Sequence, residues 1–303
     1  MRTAGFIVSV CLAIGALTTA PTTALTTAQS TAPDADKVLA AAREALGGEK
    51  KLAAVRTLTA TGRTRQVRGD SLVPIEFEIA MELPDKYMRR DEVPAQESGP
   101  TTVGINGDEL LQFPVPTTPM MPARAGGPPA PTPEQTSAMA TAARTARLAG
   151  VRQDFARLTL GMFGASYGNY PLTFTYAGKA EAPQGKADVL DVKGPGGFAA
   201  RLFINAETHL PIMLTWQPPA APQRGMRPDG PGAAPPSGVT GRGPAPAPPP
   251  ESRIYYADYR EVNGLQLPFR LRRAVGPDTV EETTFDGFKI NVKIDPRKFE
   301  ARK

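Results

Sequence analysis

The chain has 303 residues, a single cysteine, a single histidine and a formal net charge of +5, from 35 basic and 30 acidic residues. The two signs are interspersed, without the arginine-rich helix or basic–aromatic array that nucleic-acid binding requires, so nucleic acid is excluded as a partner. The one cysteine, Cys11, lies in the N-terminal leader, which excludes disulfides, thiolate metal sites and a cysteine nucleophile from the mature chain.

Residues 1–28 are predicted to be a cleaved secretory signal peptide. Arg2 supplies a positive start, residues 4–17 form a short apolar stretch, and small residues follow up to Ala28. The apolar stretch is shorter than the roughly 20 residues of a permanent transmembrane helix. We therefore expect export to the periplasm or another extracytoplasmic space, with no stable transmembrane span; an uncleaved anchor is the alternative.

Three helices are predicted in the mature chain, residues 29–303. Asp34 or Asp36 can cap a first helix that runs to about Leu46 and stops at two glycines, and a helical turn over residues 49–54 follows. A longer helix, over residues 133–163, carries an apolar stripe at helical spacing. Its arginines are predicted to form a solvated face; they are Arg144, Arg147, Arg152 and Arg157.

The clearest strand is residues 73–82, in which apolar and acidic side chains alternate. Similar alternation, separated by Gly, Pro and Asn turn signals, occurs at residues 58–67, 172–176, 187–192, 199–204, 211–216, 254–259, 265–271 and 279–292. An Asn106-Gly107 turn adds a further hairpin. Short turns join antiparallel neighbours, so we predict an α+β, mostly antiparallel protein of about ten or eleven strands.

Two proline-rich segments, residues 114–133 and 218–250, are predicted to be disordered insertions in a single domain. They consist mainly of Pro, Gly and Ala, which lack the large apolar groups needed to offset about 1–2 kcal/mol of backbone entropy per ordered residue. A functional alternative is that these loops bind a partner in the cell envelope.

Catalysis is not expected, and no metal or cofactor is predicted. The one histidine, His209, lies in a turn, and the chain has no Gly-x-Ser-x-Gly elbow. One imidazole cannot build a zinc site. Carboxylate pairs such as Glu76 and Glu78 fall on the polar face of an alternating strand, where solvent accounts for the charge.

The predicted strands present more apolar surface than the predicted helices can cover. An antiparallel sheet with one wet face must bury the other. It can pack on itself as a sandwich, close as a barrel, or curl around the helices and leave an apolar hollow. The residues alone leave these three solutions open.

Two segments resemble the outer-membrane lipoprotein-sorting or lipoprotein-carrier (Lol-type) superfamily. One is the opening helix–strand stretch, residues 38–62, and the other is a strand–turn–proline signature at residues 201–211. The closing residues 263–269 and 288–299, which end in an "N…ID…F" pattern, are similar to that family's final strands. The resemblance implies a half-open antiparallel barrel around two or three helices, with an apolar cavity for acyl chains of lipids or lipoproteins. These motifs do not assign the family's functional arginine to one position; Arg63 and Arg65, early in the first strands, are the two candidates.

We therefore predict an extracytoplasmic carrier-like protein whose partners are acyl chains, with a non-catalytic envelope module as the alternative. Burial alone could hold the ligand, because each methylene removed from water contributes about 0.8 kcal/mol. The candidate cavity residues are the alternating apolar sets, for which core packing is the competing explanation: Ile75, Phe77, Ile79, Met81, Leu214, Trp216, Leu267, Phe269 and Leu271.

Overall fold

A computed structural model describes residues 34–94, 96, 99–115, 132–182, 185–218 and 249–300. The predicted signal peptide and nearly all of both proline-rich insertions lie outside these residues. No helix in the described part is long and apolar enough to span a membrane.

Three α-helices are present in the described residues: α1 (Ala35–Ala45), α2 (Glu49–Ala53) and α3 (Pro133–Phe163). Asp34 caps α1 by accepting a hydrogen bond from the Asp36 backbone N–H. A reciprocal capping box between Thr132 and Gln135 begins α3, and Gly164, at a φ of 56°, ends it. All three helices match the predicted positions to within a residue or two.

Within the described ranges, twelve antiparallel strands form one sheet. They are β1 (Thr57–Arg68), β2 (Ser71–Glu82), β3 (Lys86–Glu92), β4 (Thr101–Asn106), β5 (Glu109–Phe113), β6 (Thr173–Ala182), β7 (Gly185–Gly194), β8 (Phe198–Asn205), β9 (Pro211–Trp216), β10 (Ser252–Val262), β11 (Leu265–Val275) and β12 (Asp278–Ile290). Their order is β5-β4-β3-β2-β1-β12-β11-β10-β9-β8-β7-β6. Two meanders, β1–β5 and β6–β12, are thus joined by the pairing of β1 with β12, and β5 and β6 are the edges of an open sheet.

The predicted count of ten or eleven strands is too low. The strand that the alternation criterion does not detect is β3, because its inward side chains include Arg89 and Asp91 rather than apolar groups. Pairing with β2 and β4 on either side holds it in the sheet despite this polarity. Its backbone is therefore specified by its neighbours more than by its own hydrophobic pattern.

The core lies between α3 and the face of the sheet that contacts it, called the inner face below. The C-terminal half of α3 provides Phe155, Leu160 and Met162, all fully buried. Phe155 stacks between Tyr87 of β3, at 4.7 Å between ring centroids, and Tyr167, at 4.3 Å. On the outer face, Phe299 in the C-terminal turn Pro296–Phe299 covers a small second apolar cluster.

Candidate ligand-binding cavity

A cavity of about 450 Å³ lies between α3 and the inner face of the sheet. This volume is within the range of about 300–1,000 Å³ that small-molecule sites occupy. Strands β1, β2, β3, β4, β10, β11 and β12 contribute to its walls. Six apolar side chains form one part of the lining: Ile75, Ile79, Leu158, Ile254, Leu271 and Phe285.

Most of the remaining lining is polar and contains a directed chain of hydrogen bonds. The Arg89 guanidinium donates to Thr64 Oγ1 at 3.1 Å, and the two hydroxyls of Thr64 and Thr283 are 2.9 Å apart. Thr283 Oγ1 in turn donates to Glu281 Oε1 at 3.3 Å. The chain thus runs from a cation on β3 to a carboxylate on β12, and it places both inside the same cavity.

Arg89 is held in its charged form by its neighbours. Burial disfavours the charged guanidinium and by itself would lower its pKa. The Asp91 carboxylate, whose Oδ1 lies 2.7 Å from Arg89 Nε, opposes this effect, and the pKa of Arg89 is raised overall. The guanidinium also lies over the ring of Phe77, 4.7 Å from its centroid. Arg89 is therefore a fixed cation in the wall, with an anion, a hydroxyl and an aromatic ring around it.

Arg273 enters the lining at an irregularity in the β11–β12 ladder. The pairing shifts between Arg273, which faces Glu281, and Ala274, which faces Thr279. Such a bulge bends the strand and redirects side chains. Arg273 is exposed, lies 5.7 Å from the Trp216 ring centroid, and has no ion-pair partner among the described residues.

The prediction that all four arginines of α3 form a solvated face is wrong for Arg157. Arg157 is 8% exposed, donates to Asp154 at 2.7 Å and lies 4.3 Å from the Trp216 ring centroid. Burial lowers its pKa, and Asp154 opposes that effect. Arg152 is also partly buried and donates to the Gly107 carbonyl oxygen at 3.1 Å.

The predicted cavity residues divide into two groups. Ile75, Ile79 and Leu271 line the cavity. The other six pack in the core, each at most 7% exposed: Phe77, Met81, Leu214, Trp216, Leu267 and Phe269. Arg63 and Arg65 lie exposed on the outer face, where Arg63 approaches Asp286 at 3.4 Å.

The polar lining residues did not emerge from the sequence as site candidates, although a signal for them exists. Thr64 occupies the same side of β1 as the buried Leu58 and Ala60, and Thr283 occupies the same side of β12 as Phe285. Every second side chain of a strand points to the same face, so a polar residue in step with buried apolar ones faces the core. This criterion would have identified both threonines.

Other chemistry is sparse in the part of the chain that the structure describes. His209 lies exposed in the β8–β9 turn at a φ of 57°. Among residues 34–300 with their gaps, no group of three or more His, Cys, Asp or Glu side chains could hold a metal ion. The proline-rich loops of the alternative envelope-module hypothesis fall outside the described residues.

Comparison with known proteins gives matches only among solved structures. No family model matches the chain, and no curated protein does. A LolA superfamily protein from Nitrosomonas europaea aligns at 12% identity and a TM-score of 0.49, covering 89% of this chain and 98% of its own. A putative outer membrane lipoprotein-sorting protein domain from Vibrio parahaemolyticus aligns at 9% identity and a TM-score of 0.47, covering 88% and 97%.

A DUF1329 family protein from Desulfovibrio piger also aligns, at 7% identity and a TM-score of 0.45, covering 88% of this chain and 97% of its own. These likenesses concern the path of the chain, so any function has to come from the cavity itself. Two of these three structures carry names of the superfamily that the sequence motifs resemble.

Proposed function

We propose that the chain is a non-catalytic, extracytoplasmic carrier-like protein that holds an acyl chain of a lipid or lipoprotein in the cavity between α3 and the sheet. The observation that carries the proposal is the cavity of about 450 Å³ with an apolar wall. The leader-like sequence of residues 1–28 supports an extracytoplasmic location.

The apolar wall supplies the driving force for binding. Leu158 from α3 faces the same space as Ile79 of β2 and Leu271 of β11, so an acyl chain placed there would leave water on several sides. Burial of about six methylenes would contribute about 5 kcal/mol, before the cost of association, at about 0.8 kcal/mol for each. Affinity of this origin requires no specific polar contact.

Lipid recovery and uptake test the proposal directly. The full chain is expressed with its leader in a bacterium, purified from the extracytoplasmic fraction and extracted with organic solvent. We expect a lipid in stoichiometric amount, or saturable uptake of a fluorescent fatty acid by the delipidated protein. A protein that carries no lipid and takes up no fatty acid would refute the proposal.

A pair of variants on one helix locates the binding site. Leu158→Gln replaces an apolar wall residue with a polar one of similar size and should weaken fatty-acid uptake about tenfold, since about 1.4 kcal/mol of apolar contact is lost. Met139→Gln makes the same kind of change at an exposed position of α3, 66% accessible, and should leave uptake unchanged. Equal effects of the two substitutions would place the ligand elsewhere.

A further inference from the structure

Two opposite charges in the cavity face each other without forming an ion pair. Arg273 of β11 and Glu281 of β12 are directly opposed in the ladder and both line the cavity. Side chains at such positions start about 4.5–5.5 Å apart at Cβ, well within reach of each other. Among the described residues, neither has a partner of opposite charge within salt-bridge distance, whereas Arg89 and Asp91 beside them are paired at 2.7 Å.

The hydrogen-bond chain leaves one side of Glu281 available. Its Oε1 accepts from Thr283, and its Oε2 has no partner within the described part of the chain. Glu281 is partly buried and Arg273 is exposed, so a ligand can reach both from the solvent side of the cavity. The site therefore offers one anion and one cation at adjacent positions.

A ligand with a single charge fits this arrangement poorly. A carboxylate bound to Arg273 would lie beside the Glu281 carboxylate, and a lone ammonium bound to Glu281 would lie beside Arg273; like charges at such distances repel. A headgroup that carries both charges satisfies the two residues together. The planar guanidinium of arginine suits the oxygens of a phosphate, and a carboxylate accepts the N–H groups of a primary ammonium.

We propose that the cavity binds a zwitterionic phospholipid, with the phosphate on Arg273, the primary ammonium on Glu281 and an acyl chain along the apolar wall. This inference rests on the proposed function and adds the class of headgroup to it. Ethanolamine-type headgroups should be preferred over choline-type ones, because a quaternary ammonium has no N–H to donate to Glu281.

Single-chain probes with one acyl length separate the contributions of the two charges. Dodecanoyl lysophospholipids with ethanolamine, choline or glycerol headgroups, and dodecanoate itself, are titrated into the delipidated full-length protein below their micelle concentrations. We expect the ethanolamine probe to bind about tenfold more tightly than the other three, the change in affinity that about 1.4 kcal/mol produces.

Substitutions at the opposed pair should change this preference in different ways. Glu281→Gln should make the ethanolamine and glycerol probes bind equally, because only the ammonium contact is lost. Arg273→Gln should weaken the three phosphate-bearing probes about tenfold. Arg272→Gln and Glu282→Gln are the matched controls, since these neighbours oppose each other in the same ladder but lie exposed on the outer face. They should change nothing.

Each outcome separates this inference from the proposed function. If all four probes bind the wild type equally, or if the inner-face variants behave like their outer-face controls, Arg273 and Glu281 do not contact the headgroup. The inference is then wrong, while the carrier function stands. If no probe binds and no lipid copurifies, the carrier function fails, and the inference with it.

Discussion

Gly161 in α3 is predicted to tolerate no side chain, although alanine is normally preferred inside a helix. A Cβ atom at this position would lie 2.0 Å from Tyr256 Cε1 and 2.4 Å from its Cδ1. Tyr256 on β10 is 4% exposed, and its hydroxyl donates to the Arg157 carbonyl oxygen at 2.8 Å. The ring cannot move away from the new methyl group without breaking this hydrogen bond.

The expected loss of unfolding free energy in Gly161→Ala follows from two destabilising contributions and one stabilising contribution. Overpacking of a dense core costs about 1–3 kcal/mol, and loss of the tyrosine hydrogen bond costs about 1 kcal/mol. Alanine returns about 1 kcal/mol through its higher helix propensity. The variant should therefore lose about 1–3 kcal/mol of unfolding free energy, the net of these contributions.

A second glycine in the same helix provides the control. At Gly150 no atom lies within 4 Å of the place that an alanine methyl group would occupy, so Gly150→Ala should stabilise the protein by up to about 1 kcal/mol. Urea unfolding, followed by circular dichroism and by the fluorescence of the single tryptophan, measures both. If Gly161→Ala is as stable as Gly150→Ala, α3 does not press its glycine against Tyr256, and the packing described between helix and sheet is incorrect.

Four further substitutions test the core, the wall of the cavity and the titratable groups around it. Leu267→Ala, in the core, should cost about 2–5 kcal/mol of unfolding free energy, measured by urea unfolding. Leu271→Ala, on the cavity wall, should cost clearly less unfolding free energy, and it should weaken fatty-acid uptake, measured by fluorescence titration. Asp91→Asn should cost about 1.5–3 kcal/mol, because the enclosed Arg89 loses its charged hydrogen-bond partner; unchanged urea stability would contradict the role of this pair. Burial raises the pKa of Tyr256 above its ordinary value of 10.0. As the pH rises above 10, only the unfolded chain therefore loses this proton, and the unfolding free energy should fall by up to about 1.4 kcal/mol per pH unit. Tyr256→Phe should reduce this pH dependence, measured by urea unfolding between pH 9 and 11.

Apolar periodicity was sufficient to predict the helices and most strands. The stripe of Val151, Phe155 and Met162 in α3 is buried as the spacing requires, and the alternating side chains of β2 from Ile75 to Met81 all face the core. Such patterns are readable because each places a whole row of apolar groups on one side of an element. β3 does not have such a row, and its place in the sheet depends on strands β2 and β4.

The environment of Arg157 could not be deduced from the helix pattern. An apolar stripe on one side of a helix implies that the other side is exposed to solvent. Near its C-terminal end, however, α3 is buried on nearly all sides, and Ala156, Thr159 and Leu160 are at most 1% exposed. Arg157 enters this region because Asp154 pairs with it and the Trp216 ring lies against it. That ring comes from β9, about sixty residues away in sequence, a contact that no local spacing encodes.

The position of the cavity has a physical reason that differs from the one suggested by the sequence. A shortage of helix predicted a hollow lined by the most regular apolar strands, yet α3 and the stacked rings of Phe155 and Tyr167 occupy much of that space. The remaining volume lies where the inner face changes from apolar to polar, at Thr64, Thr283 and Arg89. Polar side chains of this kind prefer each other and water to the apolar stripe of α3, so the helix does not close over them. The same change in polarity that keeps the cavity open therefore places charged groups beside an apolar wall, which is the combination that an amphipathic ligand requires.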